Sequence, residues 1–358
     1  MSRMRSLWLL ALLVAATPAA LQAAPAADAP VSGAPAATKI LRPKGGLKSK
    51  RPPKRPAVAK IDPKKDRQNW PVRRPTTPPY PLQVPSMGVI PFPQGERLQF
   101  KVNMMGIDAG EVMLGVGNRS KMGIVPVVPL VGWIRASAAL AKFYPINDRL
   151  EVLVDERTFL PVRVDFKLDE QGNKVQYVTS YNQAGKFILT TRVRPGEKDL
   201  VRNFTPTREV FDAMSSIYAA RRMDLKPGLS FSYFVWDGRR ERLISIKVVG
   251  NEKVWTEVGW FETVKIELLA EVTGGFIEKK ELDSPPQKGS AWIGLDPQRT
   301  PVKVITPTRL GDATAVLVKR FVEGQPAAAA PGGPVPAPTT TPPVAPVSMP
   351  PSPTTNAP

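Results

Sequence analysis

The chain contains neither histidine nor cysteine. Those two absences exclude Ser-His-Asp and Cys-His nucleophiles, thiolate and imidazole metal ligands, and haem or iron–sulfur ligation by those side chains. Disulfides go with them, although a lack of cysteine is compatible with an oxidising compartment and does not argue for one. No Gly-x-x-x-x-Gly-Lys-Ser/Thr loop is present, so a phosphate cradle of that kind is missing. Metal binding through oxygen ligands has no loop pattern either, and no cofactor is implied. The chain therefore reads as a non-enzyme.

What is present at the N-terminus is an address. Arg3 and Arg5 precede ten apolar residues, Leu7 to Ala16, a run too short to span a bilayer but suited to the core of a signal peptide. Pro18 breaks the run and small residues surround Ala23, so residues 1–23 read as a cleavable export signal and the mature protein as periplasmic or outer-envelope. An uncleaved signal acting as an anchor is the alternative. Without cysteine the chain cannot be a lipoprotein.

Residues 24–84 are rich in proline, alanine and lysine and lack the apolar side chains needed to offset ordering entropy, so a disordered arm is expected. Fourteen Lys or Arg against two Asp between Lys39 and Arg74 give a net of +12 out of the chain's +19. Within it, Lys48, Lys50, Arg51, Lys54 and Arg55 are the expected contacts for anionic peptidoglycan, lipopolysaccharide or a membrane surface, with a partnerless spacer as the alternative. Nucleic acid is not an expected partner, because the signal exports the chain and Trp70 is the only aromatic in the charged tract. Residues 323–358, rich in proline, alanine and threonine and almost uncharged, are expected to be a disordered tail.

Residues 85–322 alternate apolar and polar side chains over many short stretches, among them Arg97 to Met104, Leu150 to Val154, Lys174 to Tyr181, Phe187 to Val193 and Leu243 to Val249. The expected fold is mainly β: a large antiparallel meander forming a curved sheet, an open barrel or two half-barrels, with one packed α-helix at about 207–224. Thr207 is placed as that helix's cap, and Val210, Phe211, Met214, Ile217 and Tyr218 form its apolar stripe. The stretch Ala136 to Lys142 is assigned to strand. Such a sheet offers a concave apolar face.

Asp212, Ser215, Tyr218 and Arg221 recur every three residues along the helix and, with Trp292, are the candidate ligand-binding residues. For Asp212 and Arg221 a polar helix face or a buried pair tying helix to sheet is the favoured alternative, and core filling accounts for Trp292 as well as a cavity wall does. Asp148, Asp155, Asp165 and Asp296 are the carboxylates available to a glycan hydrolase, which needs two at a fixed separation that sequence does not give.

The order of several short motifs resembles a known family. They are Gly95-Glu-Arg-Leu-Gln-Phe100, Gly106-Ile-Asp-Ala-Gly110, Asp212-x-x-Ser215-x-x-Tyr218-x-x-Arg221, Pro227-Gly228, Gly250-x-Glu252-x-Val254, Gly259-x-Phe261-x-Thr263 and Trp292-x-x-x-Asp296-x-x-x-x-Pro301-Val302. Together they resemble the secreted bacterial proteins catalogued as domain of unknown function 3108. The resemblance implies a β-rich periplasmic or outer-envelope domain and brings no catalytic residue with it. The expected function is an exported, non-enzymatic envelope protein that binds a lipid or other amphiphile, or an envelope protein partner, while its arm contacts anionic wall or lipid. A carboxylate-dependent hydrolase of envelope glycans and a purely structural interaction module are the alternatives.

Overall fold

A computed structural model describes residues 71–308 and 311–322; the stretches expected to be signal and tail, and most of the expected basic arm, lie outside the described residues. Among the described residues seventeen strands form one sheet, open rather than closed. In chain order they are β1 (Val72–Arg73), β2 (Arg97–Met104), β3 (Ile107–Val116), β4 (Ser120–Met122), β5 (Val125–Ala136), β6 (Asn147–Asp155), β7 (Pro161–Glu170), β8 (Asn173–Asn182) and β9 (Phe187–Val193). They continue with β10 (Leu200–Phe204), β11 (Val210–Phe211), β12 (Ser230–Trp236), β13 (Arg240–Thr256), β14 (Gly259–Gly275), β15 (Gln287–Gly294), β16 (Pro301–Thr308) and β17 (Gly311–Phe321). The short helices among the described residues are α1 (Ala138–Ala141), α2 (Ala213–Ala220) and α3 (Lys279–Leu282).

The sheet consists of two meanders, β2 to β10 and β11 to β17, joined where the last strand pairs with β2 through Ala313 and Met104 at one end and Phe321 and Arg97 at the other. Period-two alternation explains the facing: Leu98, Phe100 and Val102 of β2 and Leu150, Val152 and Val154 of β6 are buried, while Arg97 and Lys101 are exposed. Each of those buried side chains contributes about 1.5–3 kcal/mol of burial. No ladder joins the free edges, β10 and β11; Gln183, in the turn after β8, holds β11, and Trp236 of β12 holds β10. Gln183 Nε2 donates to Val210 O at 2.9 Å, Val210 N donates to Gln183 Oε1 at 3.1 Å, and the Phe204 ring stacks on Trp236 at 4.4 Å.

The helix is shorter than the 207–224 expected from sequence. Val210 and Phe211, β-branched and aromatic, pair in parallel with Phe234 and Val235, and Asp212, not Thr207, caps the helix. Seven of its eight residues are buried, since Ala, Ser and Met side chains let it lie against sheet on several sides. It packs on β5 and β6 of one meander and β11 and β12 of the other. Leu98, Val112, Val152, Met214, Tyr218, Ile244 and Ile266 belong to one continuous core.

Two further expectations are corrected. Ala136 to Lys142 is not strand beyond Ala136: Ser137 Oγ accepts from Leu140 N and turns the chain into α1. The folded chain also begins before Pro85, since Val72 and Arg73 pair with Gly275 and Gly274, and Ser232 N donates to Pro81 O.

Candidate functional site

The five residues singled out from the sequence do not converge on one site. Asp212 and Ser215 form a capping box: Asp212 Oδ1 accepts from Met214 N at 2.8 Å, and Ser215 Oγ accepts from Asp212 N at 2.9 Å. Burial pushes the Asp212 carboxyl up, against the backbone and hydroxyl donors that favour its charge.

Arg221, at the other end of the helix, forms a buried bidentate pair with Glu96: Nη1 donates to Oε2 at 2.6 Å and Nη2 to Oε1 at 2.9 Å. Its remaining donors reach Gln298 O and Arg299 O, and its guanidinium lies 4.4 Å from the Phe92 ring centroid and 5.1 Å from that of Tyr218. Neither member of the pair has exposed side-chain surface, so the pair ties helix to sheet and meets no solvent. Tyr218 is likewise buried, and desolvation pushes its hydroxyl's pKa up.

Trp292 shares a sheet face with its cross-strand neighbours Lys265 and Lys303, whose ammonium groups lie 5.2 and 5.0 Å from its ring. Its Nε1 donates to Glu252 Oε2 at 2.6 Å, and this bond, ahead of the two lysines, holds the Glu252 carboxyl below its usual range. The anionic-polymer candidates Lys48 to Arg55 lie outside the described residues.

The four aspartates have local partners. Asp155 accepts from the backbone of Arg157 and Thr158, Asp165 from Gln176, and Asp296 from Thr300 and Arg320. Asp148 is enclosed near Glu170 and Tyr144, accepts from Asp169 N at 2.8 Å, and is pushed up to about 7, chiefly by burial.

Two small cavities adjoin α2. A cavity of about 30 Å³ lies beside Asp212 and Ala213, facing Tyr181 and Trp236, and another of about 30 Å³ lies between Ile217, Phe100 and Ile266. Each has room for one or two waters and none for an acyl chain.

Two outward features were missed by sequence reading. Beyond Gly250 and Glu262, β13 and β14 run on as a two-stranded ribbon to which no further strand is paired among the described residues. Trp255 and Trp260, cross-strand partners near its tip, stand 59% and 47% exposed with ring centroids 5.3 Å apart. Their equal spacing about the turn before Gly259 was the available signal. The second feature is a groove of about 320 Å³ over Gly115 and Gly117, walled by Met113, Val131 and Trp133 and rimmed by Arg97 and Asn118. Two glycines at alternate positions near a strand end marked it in the sequence.

Comparison with curated proteins finds no match. Three solved structures are similar in part. A beta-barrel-like protein of domain of unknown function DUF1849 from Brucella abortus shares 8% identity at a TM-score of 0.45, covering 66% of this chain and 99% of that one. A putative exported protein with YmcC-like fold from Bacteroides fragilis shares 12% at 0.32, covering 66% and 100%. A putative lipoprotein from Parabacteroides distasonis shares 10% at 0.31, covering 67% and 100%. At these values the likenesses bear on neither mechanism nor ligand. The family model described as "Protein of unknown function (DUF3108)" matches residues 99–318, from β2 through β17 and including α2, and the chain belongs to that family.

Proposed function

We propose that the protein is an exported, non-catalytic component of the bacterial envelope that meets an anionic lipid surface with the outside of its sheet, holding no lipid within. The observation that carries this reading is the exposed Trp255–Trp260 pair on a ribbon projecting roughly 15 Å from the sheet, at about 3.3 Å per residue. Tryptophan rings are amphipathic and partition to the headgroup level of a bilayer. The Lys48 to Arg55 cluster adds attraction of about 1 kcal/mol for each Lys or Arg near an anionic surface. The burial of α2 against strands of both meanders supports surface association over enclosure. The enclosure of Asp148 and the local pairing of the other aspartates support a non-catalytic role.

The test is co-sedimentation of the full chain with vesicles of phosphatidylglycerol and, separately, phosphatidylcholine. Binding to the anionic vesicles only, lost in a Trp255→Ser, Trp260→Ser variant of unchanged melting temperature, is the expected result. Equal sedimentation of variant and parent would remove the ribbon from the contact.

A further inference from the structure

On the outer face, Arg97, Gly115 and Val131 stand opposite one another across β2, β3 and β5, and Gln99, Met113 and Trp133 form the next row. Gly115 leaves a gap in the first row; a Cβ there would come within 3.0 Å of Val131 Cγ2. Gly117 extends the floor, since a Cβ there would approach Pro129 Cβ at 3.1 Å. The Trp133 indole is positioned by Arg149, whose guanidinium lies 5.4 Å from its ring and is itself paired with Glu151 at 2.6 Å. Arg97 at the rim is exposed and has no carboxylate partner among the described residues, while the neighbouring Glu96 side chain turns inward to Arg221. The groove thus combines a side-chain-free floor, an aromatic wall, one uncommitted cation and the amide of Asn118.

We infer that this groove is a subsite for one sugar ring bearing a carboxylate, from a glycan of the envelope. At about 320 Å³ it stands at the small end of ligand sites, which run from about 300 to 1,000 Å³, and so suits a ring and not an acyl chain. The C–H face of a pyranose suits the electron-rich face of an indole, its hydroxyl edge suits an amide, and its carboxylate suits a guanidinium. Arg97 selects the acidic sugar and Trp133 holds the ring. This subsite is independent of the lipid contact assigned to Trp255 and Trp260.

The experiment is saturation-transfer NMR and titration of the full-length protein with N-acetylmuramic acid and with N-acetylglucosamine, which lacks the carboxylate. The acidic sugar is expected to bind at least about tenfold more tightly, the effect of one charge-assisted hydrogen bond. Arg97→Gln, a surface change that leaves folding intact, should abolish that preference while keeping weak binding of both sugars. Trp133→Ala should lose both, with vesicle binding retained. Failure to bind either sugar overturns the proposal, as does a preference unaltered in Arg97→Gln. Loss of vesicle binding alone would count against the lipid reading and leave the groove standing.

Discussion

Replacing Glu96 by Gln removes the charge that faces Arg221 inside the protein while keeping the side chain's shape. In the parent, Arg221 spends two of its hydrogen bonds on the Glu96 carboxylate and two on the carbonyls of Gln298 and Arg299. The variant leaves a guanidinium with those two carbonyls and two ring faces, and a guanidinium cannot shed its proton to escape. Removing one partner of a buried pair costs about 3–5 kcal/mol. Retention of one amide oxygen places Glu96→Gln near the lower figure and Glu96→Ala near the upper. For a domain of this size each kcal/mol moves the melting temperature by about 2–4 °C, so Glu96→Gln should melt about 6–12 °C lower. Arg221→Met should cost less, because Arg320 lies 3.9 Å from Glu96 and a buried carboxylate can take up a proton. Thermal denaturation of the two single variants and the double completes a cycle, in which the double should be more stable than the sum of the singles implies. A Glu96→Gln melting temperature within about 2 °C of the parent would refute the assignment of this pair to structure. Loss of ligand binding at unchanged stability would return Arg221 to the candidate site.

Three other outcomes are expected. Asp148 is raised by burial from 3.8 to about 7, so its folded form keeps a proton that the unfolded chain has lost. That stability is full below about pH 4 and is lost as pH rises to about 7, a few kcal/mol at most; Asp148→Asn should flatten melting-temperature profiles over that window, and a parallel profile would contradict it. Gly110 has φ +148° and a Cβ there would overlap the Arg135 carbonyl oxygen, so Gly110→Ala should cost more than about 1 kcal/mol in chemical denaturation. Changing Lys48, Lys50, Arg51, Lys54 and Arg55 to Gln should weaken sedimentation with anionic vesicles and reduce its salt dependence without altering the melting temperature; equal binding would make the arm a spacer.

Local pattern alone determined most of the strands. Phe187–Val193 is the strand that its alternation predicts, and Arg97–Met104 likewise, because each side chain's face follows from a period of two that needs no knowledge of the partner. The absence of histidine and cysteine fixed what the protein lacks, and the motif order identified the family. Tertiary structure decided the rest. Val210 and Phe211 satisfy a helical stripe as well as a strand, and only pairing with Phe234 and Val235 selects strand, leaving Asp212 to start the helix. Arg221 looked like a ligand contact because its partner, Glu96, lies 125 residues away, a separation no local spacing can reveal. A long meander gave no sign of what would cover its apolar side; that depended on where the helix packed, and Ala- and Ser-rich turns let α2 lie against strands of both meanders. The groove over Gly115 arises from three strands brought into register, so each residue in it is ordinary in sequence and acquires a role through its cross-strand neighbours.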